Sequence, residues 1–431
     1  MNSFVKWIKS ERIFAWIIFF MFIGIVIRSI VMGEVYYTSD YRSYGISEWL
    51  INYEGGFVRR GIIGQLLYWI EQLQLYDVRT FIMIICIVSS FIILCLTLLI
   101  FKKEGWAILI IPTGFVFGFT LFNLFGRKDF LSLILTFLIF ISFKSIITHK
   151  RKKIAWWIVF YFLSTFQLFM HEASFFYTFP IMAVLLYQKY RNHLWTICMS
   201  CLACFICFLP ILIVMSAVCL YKGDITVAGT IWNSWKNVYE SFPSEYGFMP
   251  IGEGVGALSW EATKTFTDHL YSSYVGHYTP SYTRIPIVIL NFIATYYIIS
   301  RVNTVNMGLY SKKQMNNIFM SNIVLIQFAA MLPMYTFLSC DWGRTIPYWV
   351  ISSLYFYHVF NELNYGFPKI PSLISRKIQL YISDSSILSS PYTYILAVFL
   401  IPIPRIFAPF DFMNTFQWYW IEEIIRKINH F

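Results

Sequence analysis

Long, uninterrupted runs of apolar residues limit what this chain can fold into more than any other feature. Each run covers roughly 17 to 25 residues, the length that an α-helix needs to cross a hydrocarbon core about 30 Å thick. Strands of a membrane barrel would be shorter and would alternate apolar with polar residues. Hydrophobic residues make up 58% of the 431 positions and charged residues 13%, which excludes a water-soluble domain of this size. We therefore predict an all-α, polytopic integral membrane protein that forms a single transmembrane domain over residues 1–431.

The apolar runs predict about 11 transmembrane helices. Loops rich in lysine and arginine face the cytoplasm, and an alternating path places all such loops of this chain on one side. Two long segments then lie on the extracytoplasmic side: residues 33–79, with a re-entrant or interfacial helix, and residues 221–284, a large loop. The predicted spans lie near 13–32, 80–101, 106–125, 130–148, 154–170, 173–188, 194–220, 285–300, 317–338, 346–362 and 391–408.

The formal net charge of +11 does not indicate a nucleic-acid partner. The basic residues lie in short loops between apolar runs and form neither a stripe nor a tail. We predict membrane lipids, and no nucleic acid, as partners. The glycine-rich stretch "GEGVG" at residues 252–256 has no preceding strand, so it does not indicate a nucleotide site.

Several clusters of charged residues lie beside the apolar runs. Charges at membrane depth are costly and by default mark a cavity, a pathway or a site. The topology is drawn from the basic loops alone, yet it places all of these clusters on the extracytoplasmic face. Each also fits a structural role, such as snorkelling, a tight turn, a polar pair at a helix end or a local salt bridge. The clusters are "TSDYRSY" (Asp40, Arg42), "YEGGFVRRG" (Glu54, Arg59, Arg60), "FGRKDF" (Arg127, Lys128, Asp129), "FMHEAS" (His171, Glu172) and "SCDWGRTIP" (Asp341, Arg344).

The residue types in these clusters favour a phosphate-containing anion. Arginine binds phosphate through charge-assisted, bidentate hydrogen bonds and keeps its proton. The glycines that flank Arg59 and Arg60 allow close backbone approach, and a helix that starts at Gly61 would add its positive N-terminal end. Carboxylates and a histidine beside the cations supply a proton acceptor for an attacking hydroxyl. At the outer leaflet this combination predicts a polyprenyl-diphosphate-linked oligosaccharide as substrate, and an electrostatic mechanism with no cofactor and no required metal.

The polytopic pattern, the large outer loop and the short pieces "GGFVRRG", "GRKD", "HE" and "DWGR" resemble the bacterial oligosaccharide repeat-unit polymerases, the O-antigen and capsular polysaccharide polymerases of the Wzy class. The resemblance implies a GT-C-like glycosyltransferase of the bacterial inner (cytoplasmic) membrane with an extracytoplasmic active face. Its role would be surface polysaccharide or lipopolysaccharide biosynthesis on an undecaprenyl diphosphate carrier. The resemblance leaves open whether a chain-length regulator protein binds. In that class a second outer loop carries an arginine, and Arg284 is the nearest counterpart here.

We predict a role in such a polymerase for each charged residue. The cations that hold the donor diphosphate are Arg59, Arg60, Arg127, Lys128 and Arg344. The candidate bases are His171, Glu172 and Asp341. The other candidates for substrate binding are Arg42, Asp129, Arg284, Asp40 and Glu54, of which Asp40 or Glu54 orients the acceptor.

Two other functions stay open at this point. A GT-C transferase with a polyprenyl-monophosphate sugar donor typically needs an acidic residue in its first outer loop, where "TSDYRSY" lies. A lipid-linked oligosaccharide transporter needs polar residues distributed through the depth of the membrane, whereas the charges of this chain gather on one face.

Overall fold

The structure is a computed structural model of the chain. Every regular element among the described residues is helical. The structure describes residues 44–73, 77–104, 126–149, 153–192, 196–238, 251–260, 293–294, 296–297, 314–334, 338, 342–360, 362–363, 369–390, 392–393 and 396–397. The helices are α1 (Tyr44–Ser47), α2 (Gly61–Gln72), α3 (Val78–Glu104), α4 (Asp129–Thr148), α5 (Lys153–Met170), α6 (Ser174–Asn192), α7 (Ile197–Leu220), α8 (Ile225–Val238), α9 (Glu253–Gly256), α10 (Gln314–Pro333), α11 (Trp342–Phe360) and α12 (Lys369–Asp384), with 3-10 turns at Glu48–Leu50 and Ala257–Ser259.

Four helices of the described chain are long and apolar enough to cross a membrane: the Val78–Thr97 part of α3, and α4, α5 and α7. The chain is therefore a multi-pass membrane protein. Helices α6, α10 and α11 lie at three further predicted spans. The predicted spans near 13–32, 106–125, 285–300 and 391–408 lie wholly or largely outside the described residues, so the number eleven stays a prediction.

Helix α4 lies at the centre of the bundle. Its Phe143 is fully buried and packs between Phe160 of α5 and Phe208 of α7, with ring centroids 5.5 and 6.0 Å apart. On another side, Phe140 meets the edge of Phe356 of α11 at 5.3 Å. Burial of these large rings stabilises the bundle chiefly by dense packing, because lipid tails are as apolar as the core.

The two predicted outer segments pack against each other. The indole Nε1 of Trp235, in α8, donates to the Leu50 carbonyl oxygen at 2.7 Å. The backbone N–H of Gly254, in α9, donates to Ser47 Oγ at 2.7 Å. A Cβ at Gly254 would collide with the backbone of Glu48, so this glycine of "GEGVG" allows close approach to the first outer segment.

Helix α2 packs closely against the first outer segment at the 3-10 turn Glu48–Leu50. It begins at Gly61, and a Cβ at Gly64 would collide with the carbonyl oxygen of Ile51 and lie 2.7 Å from that of Trp49. The Trp49 indole in turn donates to the Gly126 carbonyl oxygen at 2.7 Å. The first outer segment is thereby attached to the chain that leads into α4.

Helix α12 was not predicted, because its lysines, arginine and proline were interpreted as part of a cytoplasmic loop. Its proline lies in the first turn, where a helix tolerates it. Asn322 of α10 donates to Ser372 Oγ at 3.2 Å, and Gln379 donates to Ser321 Oγ at 3.0 Å. These small polar side chains give α12 a face that binds α10, and this pairing stabilises the helix.

Candidate functional site

The turn between α5 and α6 brings Glu172 to the paired arginines of the first outer segment. Arg60 Nε lies 3.1 and 2.9 Å from the two carboxylate oxygens of Glu172, and Arg60 Nη2 lies 2.6 Å from Oε1. Arg59 Nη1 donates to the same Oε1 at 3.3 Å. The side chains of Glu172, Arg60 and Arg59 are 15%, 17% and 21% exposed. The cluster is thus largely desolvated but open to solvent on one side.

Backbone contacts hold Arg59 in this position. Its N–H donates to the Tyr221 carbonyl oxygen, at the end of α7, at 3.0 Å. Its Nη2 donates to the Ala257 carbonyl oxygen of the second outer segment at 3.2 Å. Arg59 therefore joins both outer segments to Glu172.

Arg60 has a left-handed backbone, with φ of 65°. This is rare for a residue other than glycine and costs about 1–2 kcal/mol. The residue precedes α2 as its N-cap, and its carbonyl oxygen accepts a hydrogen bond from Lys128 Nζ at 3.0 Å. Strain of this kind persists where surrounding contacts impose it, here the fork to Glu172 and the bond from Lys128.

Lys128 lies wholly inside the protein, just before α4, and has no exposed surface. Its ammonium lies 5.9 Å from the centroid of the Trp49 ring, within reach of a cation–π interaction. Burial lowers the pKa of Lys128 to about 8, against the opposing effect of Glu48, while Arg60 also lowers it. A proton on this side chain is therefore less tightly held than on an ordinary lysine.

Glu48 is the residue of the cluster that sequence reasoning missed. Its side chain is fully buried, and one carboxylate oxygen lies 3.6 Å from Arg60 Nη1. The signal was present, because Glu48 is the only charged residue in the apolar stretch Ile46–Ile51. A lone acid among residues that will be buried needs a cationic partner, and this partner is Arg60.

The electrostatics of the cluster keep Glu172 ionised. Burial by itself would raise the pKa of its carboxyl, but Arg60 and Arg59 outweigh burial and hold this pKa well below its usual value of 4.5. The hydrogen bonds from Arg60 act in the same direction, as does the neighbouring His171. Glu172 is thus a weak proton acceptor and a strong partner for the guanidinium groups.

Two buried residues are neighbours of the cluster in the chain: His171 precedes Glu172, and Asp129 follows Lys128. His171 is 4% exposed, and its ring meets the Tyr348 ring of α11 edge-on at 6.3 Å. Asp129 is fully buried as the first residue of α4. The structure thus brings together Arg59, Arg60, Lys128, His171 and Glu172 from three of the predicted clusters.

The remaining predicted site residues are partly or fully exposed, or their side chains lie outside the described part of the chain. Glu54 is exposed and accepts a hydrogen bond of 3.4 Å from Gln65 Nε2. Arg127 is partly exposed. Arg344 lies in the first turn of α11, but its side chain is outside the described part. The residues that lie wholly outside it are Asp40, Arg42, Arg284 and Asp341.

Comparisons with protein-family models, with curated proteins and with solved structures found no match. Among the described residues, no group of three or more His, Cys, Asp or Glu side chains is arranged to hold a metal ion.

The left-handed backbone of Arg60 leads to a testable difference between two variants. Arg60→Gly and Arg60→Ala both remove the guanidinium, but only glycine adopts the observed φ without steric cost. We expect the glycine variant to be more stable than the alanine variant by about 1 kcal/mol, measured as thermal unfolding in detergent. The same pair at Arg59, which does not have a positive φ, should show no advantage for glycine. Equal stability of the two Arg60 variants would contradict the positive φ of Arg60.

Proposed function

We propose that the protein is a membrane glycosyltransferase that polymerises a surface polysaccharide at the extracytoplasmic face. It would transfer a polyprenyl-diphosphate-linked glycan onto another lipid-linked repeat unit. The observation that carries the proposal is the meeting of Arg59, Arg60 and Lys128 beside Glu172, at one end of the bundle. Arg59 and Arg60 meet at a partly exposed point, as a diphosphate site requires. The fully buried Lys128 supports Arg60 from within by donating to its carbonyl oxygen.

The arginines have the capacity to bind a phosphate while Glu172 stays in place. Each guanidinium carries five N–H donors, and a carboxylate offers about four acceptor sites. Arg59 and Arg60 together therefore have more N–H donors than one carboxylate has acceptor sites. Within the proposal, Glu172 orients the two forks, and the donor diphosphate binds on their exposed side.

The chemical step uses this charge at the leaving group. The acceptor hydroxyl oxygen attacks the anomeric carbon and forms the new glycosidic bond, while the bond from that carbon to the diphosphate oxygen breaks. The electron pair leaves with the diphosphate, whose charge the arginines stabilise. The hydroxyl proton goes to His171, because the low pKa of Glu172 makes its carboxylate a poor acceptor. Asp341, outside the described residues, stays a candidate for the same role.

One observation favours a second candidate, a GT-C transferase with a polyprenyl-monophosphate sugar donor. Glu48 supplies an acid in the first outer segment, and it lies beside Arg60. The two candidates differ in donor, so one assay separates them. Activity with a monophosphate-linked single sugar, and none with a diphosphate-linked oligosaccharide, would support the second and exclude the polymerase.

The proposal is tested by removing the charge of the two arginines. Purified Arg59→Gln and Arg60→Gln variants are incubated with a polyprenyl-diphosphate-linked repeat unit, and the lengths of the products are measured. We expect product formation to fall by about 100-fold or more, because preorganised cations at a leaving group contribute that much to a rate. Arg376→Gln, an exposed arginine of α12, is the matched control and should retain wild-type chain lengths. Unchanged products from the Arg59 and Arg60 variants would refute the site.

A further inference from the structure

One face of α11 carries a polar side chain at every turn. Thr345, Tyr348, Ser352 and Tyr355 follow one another at intervals of three and four residues, which places them on one side of a helix. None of the four is more than 2% exposed, and His358 continues the row. Polar groups buried at membrane depth are costly and are retained for a function.

This polar face extends through the same depth as α4, a predicted membrane span. The Phe137 ring meets the Tyr355 ring at 5.0 Å. Further along α4, Lys144 Nζ forms an ion pair at 3.3 Å with Glu362, just past the end of α11. Residue numbers rise together in these pairs, so α11 runs beside α4 in the same direction and the row follows the span inward.

Both ends of the row reach ionisable groups near solvent. At the outer end, Tyr348 meets the ring of His171, and the adjacent Glu172 is partly exposed. At the inner end, His358 stacks on Phe137 at 6.3 Å, and the Glu362 side chain one turn later is 64% exposed. Proton donors and acceptors are thus present from one end of α11 to the other.

The spacing along the row suits bridging by single water molecules. Intervals of three and four residues correspond to about 4.5 and 6 Å along a helix axis. Two hydrogen bonds of about 2.8 Å through one water span a similar distance. Within the described part of the chain, the hydroxyl oxygens of Tyr348 and Tyr355 have no protein hydrogen-bond partner, and neither do the side-chain carbonyl oxygens of Gln167 and Gln327. Buried polar groups of this kind are where internal water binds.

We propose that this face of α11, together with internal water, conducts protons between the Glu172 cluster and the inner end of the bundle. A proton taken up at one end passes from group to group. Each group accepts one proton and releases another, so one proton leaves at the far end and no side chain changes its charge. This activity does not depend on the proposed glycosyl transfer. The polar face of α11 also extends through the depth of the membrane, whereas the charged residues selected from the sequence gather on one face.

Proton flux across liposomes tests the proposal directly. Purified protein is reconstituted into liposomes that contain a pH-sensitive dye, and a potassium gradient with valinomycin sets the membrane potential. We expect wild-type liposomes to change internal pH faster than protein-free liposomes. Tyr355→Phe removes one oxygen but keeps the ring that packs on Phe137, and we expect this variant to lose the flux.

The chain offers a matched control on the same helix. Tyr357 is half-buried and lies off the polar face, so Tyr357→Phe should keep the wild-type flux. Thermal unfolding of each variant distinguishes a flux lost through the substitution from a flux lost through misfolding. Wild-type flux equal to that of protein-free liposomes would overturn the proposal. A Tyr355→Phe flux equal to the wild-type flux would overturn it too.

Discussion

Replacement of Glu172 by glutamine is expected to destabilise the protein by about 2–4 kcal/mol. Arg60 and Arg59 both point their guanidinium groups at this carboxylate, and the variant would leave two largely buried cations with a neutral partner. The expected loss lies between that of an exposed and that of a fully buried ion pair, because the three side chains are 15–21% exposed. Thermal unfolding in detergent measures it.

The pH dependence of the wild type provides a second readout of the same ion pairs. The pKa of the Glu172 carboxyl is lower in the folded protein than its ordinary value of 4.5. Its contribution to stability is therefore present above about pH 4.5 and is lost as the pH falls through the folded-state pKa. The stability difference between wild type and Glu172→Gln should accordingly shrink below about pH 4.5.

Glu362→Gln is the matched control for this experiment. It removes the same charge from an exposed ion pair with Lys144 at the other end of α4, where we expect a loss of at most about 1 kcal/mol. Equal effects of the two substitutions would show that the Glu172 pairs are not buried as described. A constant difference between wild type and Glu172→Gln across the acidic range would contradict the lowered pKa.

Replacement of Gly64 by alanine is expected to destabilise the protein by more than about 3 kcal/mol. The new Cβ would overlap the Ile51 carbonyl oxygen and lie 2.7 Å from that of Trp49. These are backbone atoms held by hydrogen bonds from Trp235 to Leu50 and from Trp49 to Gly126. The turn therefore has no room to move without breaking them, and we expect reduced yield and a lower unfolding temperature.

Gly256→Ala is the control for Gly64→Ala. A Cβ at Gly256 meets no atom within 4 Å, and its φ of −59° is ordinary for alanine. We expect a change within about 0.5 kcal/mol. Normal yield and stability of Gly64→Ala would show that α2 does not pack on the 3-10 turn at Glu48–Leu50.

Several elements of the fold were predictable because they depend on local pattern alone. The apolar runs at α3, α4, α5 and α7 predicted helices of spanning length, since burial of the backbone in lipid requires internal hydrogen bonds. Helix α2 also begins at Gly61, the helix start that was considered for the anion site. Helix α12 was missed because its stability comes from polar contacts with α10, which no local pattern reveals.

The candidate site divides in the same way. Sequence reasoning selected Arg59, Arg60, Lys128, His171 and Glu172, because charged residues beside apolar runs are rare and costly. It did not find that Glu172 pairs with both arginines, or that Glu48 belongs to the cluster. It also considered charged residues alone and missed the uncharged polar face of α11. Hydroxyl groups are common in membrane helices, and they indicate a function only when the structure shows several of them buried along one helix face.

The sequence by itself determined that this chain is a helical, multi-pass membrane protein with cations near the ends of its helices, because apolar length and charge are properties of consecutive residues. Only the tertiary structure decided which charges meet. Arg60 and Glu172 are 112 residues apart in the chain, and their contact depends on how α2 packs and where the α5–α6 turn lies. The free energy of that packing is the sum of contacts between residues far apart in the chain, so no local sequence pattern predicts it.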